Sequence, residues 1–397
     1  MRHVPRYWRC PVTLLLSLSF ITAATNEFSR AAFILPVYPG RISDCSSNLD
    51  IFTERHHRRL ATTSRQLPTP TFLRNSYDNI LLQDTKYLSP LTVVIPAFNE
   101  CLRIEDTLRN YHAFLSTSQH WQKSSRILIV DDGSTDGTPQ VVQNVADSLL
   151  LSNKEHGSVV DIACISLGFN QGKGAAIARG IRYVAESENE NPQYNNTLDG
   201  KQRSLILMAD ADASADISSL DCMLEALEGL LVVKNERQEK NTNTGSNICW
   251  NAPAMIVGKR QCASTSLDRT ILRSGFRTAV RTICGDLGVS DTQCGFKLMT
   301  LSAGLALYQD LHLQGWSHDC EVLYRAKGMK IPVAEVDVPW EDKSGSKLVT
   351  SAGGTIGASL QMLLDIAQLR FCYTVGIWSC LNGQLERQEG GLMDELM

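Results

Sequence analysis

The most constraining feature of this sequence is a short apolar run, residues 205–209 (LILMA), that leads directly into Asp210 and Asp212. An unbroken apolar run of this length is typical of a strand buried on both faces of a parallel sheet. Because side chains alternate along a strand, the two aspartates are predicted to leave its carboxyl end on the same side. Neighbouring carboxylates repel each other unless a cation lies between them. The pair therefore indicates either a site for Mg²⁺ or Mn²⁺ or two solvated acids.

Further short apolar runs alternate with helical patterns along the chain. The other predicted strands are residues 91–96, 126–130, 159–166, 254–258 and 330–338. This alternation predicts an α/β fold with a mostly parallel sheet flanked by helices, which binds ligands at the carboxyl ends of its strands. Pro96, Asp131, Gly168 and Asp210 all follow such ends, so we expect four stretches to converge on one crevice.

The predicted crevice carries residue types that suit a nucleoside diphosphate. Lys173 lies between Gly172 and Gly174 ahead of a predicted helix, where an ammonium group and open backbone amides favour a phosphate. Asp131 or Asp132 could accept a hydrogen bond from a base edge. No P-loop is present, and no G-x-G-x-x-G follows the first strand, which disfavours a dinucleotide site. A solvated lysine at a helix start is the alternative interpretation of Lys173 taken alone.

Composition narrows the choice of partner and compartment. The chain has 397 residues, a net charge of -4 and twelve cysteines. This charge gives no reason to expect a nucleic-acid partner. The cysteines form no C-x-x-C pair, so we predict free thiols in a reducing compartment rather than a zinc site or a disulfide scaffold. A glycosylation sequon at Asn195 matters only if that region reaches a lumen.

Four regions are predicted along the chain. They are an N-terminal anchor or signal-like segment (1–30), a polar linker (31–88), a catalytic domain (89–350) and a C-terminal helix with its tail (351–397). The apolar residues 11–24 are shorter than the roughly 20 residues of a spanning helix, so a cleaved signal, an uncleaved anchor and a targeting leader all stay open. Residues 352–378 predict a helix that either packs in the core or lies on a bilayer surface.

A basic stripe lies in the last third of the predicted catalytic domain. Arg269, Arg273, Arg277 and Arg281 recur every four residues and share one face of a predicted helix. Such a stripe is usually solvated. Because no acidic residues are interleaved, it could instead meet an anionic partner such as a lipid phosphate.

Several motifs together resemble a known family. VIPAFNE, VDDGSTDGT, NQGKGAA and ADADAS resemble the nucleotide-sugar half of glycosyltransferase family 2, inverting enzymes with a Rossmann-like GT-A fold. DTQCGFKL, the W-x-x-D-x-E of residues 316–321, KIPVAEVDVPW and GSKL resemble the dolichyl-phosphate β-glucosyltransferases within it. The resemblance implies inverting transfer of glucose from UDP-glucose to dolichyl phosphate, giving dolichyl β-D-glucosyl phosphate for protein N-glycosylation.

The same resemblance implies roles for particular residues. The nucleotide-framing residues are Pro96, Ala97, Asn99 and Glu100, with Asp131 or Asp132 on uracil, Lys173 near the nucleotide, and Asp210 and Asp212 on the metal and diphosphate. Gln293 and Lys297 belong to the acceptor loop, and Asp319 lies near the acceptor. On this basis the expected catalytic residues are Asp212, Lys297 and Asp319.

The acceptor chemistry sets what these residues need to do. A phosphate monoester is largely ionised near neutral pH, because its second pKa is about 6. It is already an anionic nucleophile, so cations that hold it matter more than a strong general base. We expect Lys297, Arg273 and Arg277 to hold the acceptor, with Asp319 as a secondary candidate for a base.

Other functions stay open at this level. The nearest alternative is a dolichyl-phosphate mannosyltransferase that uses GDP-mannose, and another is a non-catalytic membrane-surface binder. A processive polysaccharide synthase would need several spanning helices and Q-x-x-R-W, and the sequence has neither. If the glucosyltransferase interpretation holds, we expect the endoplasmic reticulum membrane, with the catalytic domain facing the cytosol.

Overall fold

A computed structural model describes residues 91–122, 125–156, 160–190, 204–232, 248–262, 267–341, 343 and 354–380. All of them lie within one compact unit of the chain, Pro70–Met397. The predictions for residues 1–30, the linker 31–88, Asn195 and the GSKL motif fall outside the described residues. The ten cysteines in the described ranges are all free, as their scattered spacing predicts.

Strands and helices alternate through most of the described chain. The strands are β1 (Leu91–Ala97), β2 (Ser125–Asp131), β3 (Asp161–Ser166), β4 (Leu205–Met208), β5 (Met255–Cys262), β6 (Lys297–Thr300) and β7 (Val333–Trp340). The helices are α1 (Ile104–Thr117), α2 (Thr138–His156), α3 (Lys173–Glu190), α4 (Ser219–Leu231), α5 (Leu267–Cys284), α6 (Leu301–Tyr308), α7 (His318–Gly328) and α8 (Gly354–Thr374).

The strands form one sheet in the order β3-β2-β1-β4-β6-β5-β7. Within the described sheet, β6 runs antiparallel to both of its neighbours, and the other pairs are parallel. The predicted mostly parallel α/β sheet is therefore confirmed. The sequence analysis did not predict β6, which inserts between β4 and β5 in the middle of the sheet.

The apolar runs of the sequence form the centre of this sheet. Every residue of β4 is buried, and so is nearly every residue of β1 and β2. Helix α3 packs against β1 and β2, while α4 packs against β5, β6 and β7. At Gly180 the α3 backbone comes so close to β1 that a β-carbon there would lie 2.6 Å from Val94 Cγ1. This close packing holds the start of α3 near the ends of the central strands.

The C-terminal helix α8 packs against α5 and α7. Met362, Ile366, Leu369 and Cys372 form its buried side. Leu360 and Phe371 are exposed at 59% and 39% on the opposite side. In the part of the chain that the structure describes, no helix combines the length and the apolar character needed to cross a bilayer.

Buried Glu321 ties the end of α8 to the segment before α7. Its carboxylate accepts hydrogen bonds from the backbone N–H groups of His312 and Leu313, and from the hydroxyl of Tyr373 at 3.0 Å. The Glu321 carboxylate also lies 2.7 Å from His312 Nδ1, and the His312 ring stacks on Trp378 with centroids 4.2 Å apart. The helix is thus joined to the loop that leads into the crevice.

Candidate active site

The loops that follow β1 and β2 are held together at the sheet edge. The N–H of Asn99 donates to Ser134 Oγ at 2.9 Å, and Asn99 Oδ1 accepts from the N–H of Thr135 at 2.8 Å. The N–H of Glu100 donates to Thr138 Oγ1 at 2.8 Å. Asn99 has a left-handed φ of 55°, which asparagine adopts more readily than most residues. The predicted nucleotide-framing segment is therefore fixed to the loop after β2.

Asp131 and Asp132 are both buried, and each organises a neighbouring loop. Asp131 accepts from Ser134 N–H at 3.1 Å and from Ser166 Oγ at 2.9 Å. Asp132 accepts from the N–H groups of Gln171 and Gly172 at 2.6 and 2.8 Å. Burial raises the pKa of Asp132, although the two backbone bonds oppose this change. The assignment of uracil to one of these aspartates stays a prediction.

Lys173 and Asp210 form an ion pair in the crevice, with Lys173 Nζ 2.5 Å from Asp210 Oδ1. The ammonium also lies 5.6 Å from the centre of the Trp316 ring. Burial lowers the pKa of Lys173, but the charges of Asp210 and Asp319 outweigh burial and raise it. Lys173 therefore stays charged, stabilised by two acidic groups that come from different parts of the chain.

The Asp210 carboxylate rests on the backbone of Gly295. A β-carbon at position 295 would lie 2.5 Å from Asp210 Cγ and 2.6 Å from Oδ1, far inside van der Waals contact. Glycine at this position therefore leaves the space that the carboxylate occupies.

Asp212 faces a cation that the sequence analysis did not single out. Arg103 forms an ion pair with Glu100 and places its NH1 3.6 Å from Asp212 Oδ2. Asp212 Oδ1 accepts from the N–H of Ser214 at 3.0 Å. The sequence analysis expected the alternation of side chains along β4 to place both aspartates on the same side. This expectation needs correction, because β4 ends at Met208 and both acids lie in the loop that follows.

Lys297 and Asp319 form a buried ion pair at the side of this crevice. Lys297 is the first residue of β6, between two strands, and is 0% exposed. Its Nζ donates to Asp319 Oδ1 at 2.6 Å and to the carbonyl oxygen of Cys294. Burial raises the pKa of Asp319, but His318, Lys297 and Lys173 outweigh burial and hold it at about 2. The structure thus brings together two of the predicted catalytic residues, and their roles stay predictions.

The predicted acceptor loop is supported by a second buried ion pair. Arg260 donates to both carboxylate oxygens of Asp291, at 2.7 and 2.8 Å. Glu335 accepts from the N–H groups of Ser290 and Asp291 at 2.7 and 2.8 Å. Half-buried Gln293 follows directly in this loop. The sequence analysis missed Arg260, because its partner lies 31 residues away on a loop.

Two further observations concern the surroundings of the crevice. Tyr111 on α1 is fully buried, and its hydroxyl has no hydrogen-bond partner among the described residues. Burial, then the charges of Asp210 and Asp212, raise its pKa. Arg277 is exposed on α5, and the side chain of Arg273 lies outside the described residues. The predicted acceptor role of these two arginines therefore stays a prediction.

Comparison with known proteins places this geometry in a family. Residues 92–231 match the profile of "Glycosyl transferase family 2". A dolichyl-phosphate beta-glucosyltransferase of Dictyostelium discoideum is 32% identical, with 79% of this chain and 81% of that protein covered. The Homo sapiens protein of the same name is also 32% identical, over 72% of this chain and 77% of its own.

Solved structures give a weaker similarity. A glucosyl-3-phosphoglycerate synthase from Mycobacterium tuberculosis, crystallised with Mn²⁺ and UDP-glucose, is 15% identical with a TM-score of 0.40. The match covers 70% of this chain and 79% of that one, and a similarity of this size carries no inference about the site.

The sheet, the crevice and the family profile define a glycosyltransferase with a GT-A type fold. Within that class, the chain belongs to the dolichyl-phosphate β-glucosyltransferase family of glycosyltransferase family 2.

Proposed function

We propose that this chain transfers glucose from UDP-glucose to dolichyl phosphate with inversion, giving dolichyl β-D-glucosyl phosphate for protein N-glycosylation. The observation that carries the proposal is the position of Lys173, which is paired with Asp210 at 2.5 Å and whose positive charge is also stabilised by the charge of Asp319. The predicted diphosphate site and the predicted acceptor site are therefore neighbours in one crevice. The names of the relatives give the sugar and the lipid.

The donor side offers ligands that fit a divalent cation. Asp210 and Asp212 have side chains that are 25% and 24% exposed, and both carboxylates face cationic groups. No group of three or more possible metal-binding side chains occurs among the described residues, so two carboxylates would leave positions for diphosphate oxygens. Mg²⁺ or Mn²⁺ held here supplies charge neutralisation for the departing UDP. Lys173 adds a fixed positive charge beside Asp210, close to the expected diphosphate.

The acceptor side suits an anionic nucleophile. The phosphate oxygen of the acceptor attacks the anomeric carbon in line with the departing UDP, which inverts the configuration in one step through an oxocarbenium-like transition state. Lys297 is 0% exposed and donates to the Cys294 carbonyl oxygen and to Asp319, so it would act on the acceptor phosphate through its positive charge and through the groups that it holds. Because its pKa is held at about 2, Asp319 is a weak base that serves chiefly by fixing the lysine.

A transfer assay tests the proposed reaction. Labelled UDP-glucose and GDP-mannose are each offered with dolichyl phosphate, with and without Mn²⁺. We expect transfer from UDP-glucose only, and loss of that transfer in Asp212→Asn. Glu225→Gln, which removes the same charge from an exposed position on α4, is the matched control and should keep full activity. Transfer from GDP-mannose alone, or Asp212→Asn activity within threefold of the wild type, would contradict the proposal.

We further propose that the exposed side of α8 lies on the bilayer that holds the acceptor. Leu360 and Phe371 are exposed apolar residues on the side of α8 that faces away from α5 and α7, and the exposed apolar residues Val375 and Ile377 follow the end of the helix. Exposed apolar stripes of this kind mark interaction surfaces. Arg370 and, on neighbouring α5, the exposed Arg277 and Arg281 add positive charge suited to phospholipid headgroups.

Glutamate substitutions on α8 test this surface. The double variant Phe371→Glu/Val375→Glu should raise the apparent KM for dolichyl phosphate in vesicles and leave the KM for UDP-glucose unchanged. Gln140→Glu, at an exposed position on α2, is the control for added negative charge. An unchanged acceptor KM in the double variant would exclude α8 as a membrane contact.

The proposed location is the endoplasmic reticulum membrane, with the crevice on the cytosolic side where UDP-glucose is made. The free cysteines are consistent with that side. Protease added to intact microsomes should digest the catalytic domain, and Asn195 should carry no glycan. A protected domain or a glycosylated Asn195 would place the crevice in a lumen.

A further inference from the structure

The buried imidazole of His318, beside the proposed acceptor site, has one ring nitrogen without a hydrogen bond among the described residues. His318 is the first residue of α7 and is 0% exposed. Its Nδ1 lies 2.9 Å from the carbonyl oxygen of Gly315, and its Nε2 lies 3.2 Å from Asp319 Oδ1. In the described part of the chain, Nε2 makes no hydrogen bond of acceptable geometry.

This pair of contacts conflicts with a neutral ring. A neutral imidazole has one N–H and one lone pair, and a backbone carbonyl can only accept. If Nδ1 carries the proton, the Nε2 lone pair faces a carboxylate oxygen. If Nε2 carries it, the Nδ1 lone pair faces the Gly315 oxygen. Only the doubly protonated ring would carry an N–H beside both oxygens, and a small rotation of the Asp319 carboxylate would then let Nε2 donate to Oδ1.

The charges around the ring come from several elements and oppose one another. Asp319 favours the imidazolium, while burial, Lys173 on α3 and Lys297 on β6 disfavour it, and the net effect lowers the pKa of His318. The Tyr308 ring on α6 lies 6.3 Å away, and burial keeps its hydroxyl neutral by raising its pKa. An anionic acceptor phosphate would favour the imidazolium, in the opposite sense to the two lysines.

We propose that His318 is a positioning residue for Asp319, and that its Nε2 proton, gained when the phosphate acceptor binds, fixes the Asp319 carboxylate through Oδ1. This inference rests on the proposed function, because it takes the anion near Asp319 to be the acceptor phosphate. Oδ1 is then shared by Lys297 Nζ and His318 Nε2. The proton comes from solvent or from the singly protonated fraction of the phosphate monoester, whose second pKa is about 6.

Two variants separate the two ring nitrogens. Glutamine places an amide N–H near the Nε2 position at every pH, while asparagine places one near the Nδ1 position only. His318→Gln should retain kcat within about fivefold and lose the pH dependence that His318 confers. His318→Asn should keep the Gly315 contact but lose about tenfold in kcat, as expected for one charge-assisted hydrogen bond. Equal kcat values and wild-type pH profiles in both variants would overturn the proposal.

A direct titration keeps this test independent of glucosyl transfer. The full chain, labelled with ¹⁵N-histidine in detergent, is titrated by NMR, and His318→Gln identifies the His318 signals among the eight histidines. We expect Nδ1 to stay protonated while Nε2 titrates, with a pKa that falls in Asp319→Asn and rises when dolichyl phosphate is added. A ring that carries its only proton on Nε2, or a pKa indifferent to both changes, would overturn the proposal. Loss of transfer with these shifts intact would count against the proposed reaction instead.

Discussion

Gly295→Ala offers a sharp test of the Asp210 site, because the added methyl group would occupy the space that the Asp210 carboxylate fills. Its β-carbon would lie 2.5 Å from Asp210 Cγ. Carbon atoms in contact prefer about 3.5 Å, so the carboxylate must move by about 1 Å. The backbone around position 295 yields less easily, since the carbonyl oxygen of Phe296 accepts from the N–H of Gly258 at 2.8 Å and β6 pairs on both sides.

A displacement of about 1 Å in a positioning group costs on the order of a hundredfold in rate. We therefore expect Gly295→Ala to lower kcat about a hundredfold and to raise the Mn²⁺ concentration needed for half-maximal activity. The assay is steady-state transfer of labelled glucose to dolichyl phosphate across a range of metal concentrations. Thermal unfolding of the same preparation checks that the fold is intact.

Gly229→Ala is the matched control. Gly229 lies within α4, and a β-carbon there would meet no atom of the described residues within 4 Å. Alanine in a helix interior is more favourable than glycine by about 1 kcal/mol, so this variant should be slightly more stable and fully active. If Gly295→Ala retained activity within threefold of the wild type with an unchanged metal requirement, Asp210 would not position the departing diphosphate.

Three further outcomes follow from buried groups. Lys297→Ala should raise the KM for dolichyl phosphate or lower kcat while the donor KM holds, and calorimetry should show a loss of about 3 kcal/mol, because Asp319 is left buried without its partner. The pKa of Asp319 is depressed to about 2, so its stabilising effect is present above pH 4 and is lost as pH falls towards 2; the difference in Tm between wild type and Asp319→Asn should shrink over that range. Trp121→Phe should lower stability by at least about 1 kcal/mol without changing kcat, because it loses the 2.8 Å bond from Nε1 to Asp221 and leaves a cavity where the buried indole was.

The strands that carry a clear apolar run were predictable from the sequence. β1, β2 and β4 are buried on both faces, so their composition alone distinguishes them from helices and loops. β6 was missed because it has only four residues, begins with a lysine and follows a loop rather than a turn signal. Its antiparallel direction depends on its neighbours β4 and β5, which lie far from it along the chain.

The composition of the crevice was predictable, but its internal pairing was not. The motifs place Lys173 and Asp210 at neighbouring strand ends, and the structure shows them 2.5 Å apart. The burial of Lys297 depends on the unpredicted position of β6, so the sequence analysis treated it as an accessible cation. Arg103 was missed because its contact with Asp212 joins two segments that lie far apart along the chain, and no local sequence pattern indicates such a contact.

The carboxylate of Glu321 connects the C-terminal helix rigidly to the loop that leads into the crevice. It binds Tyr373 at the end of α8 and the backbone at His312 and Leu313, a few residues before Trp316, whose ring faces Lys173. A tilt of α8 would therefore be transmitted to that loop through hydrogen bonds rather than absorbed by a flexible hinge. A shortened protein that ended before α8 would lose the hydrogen bond from Tyr373 to Glu321 and the stacking of Trp378 on His312. Truncation before α8 would thus remove the proposed membrane contact and also loosen the loop that carries Trp316.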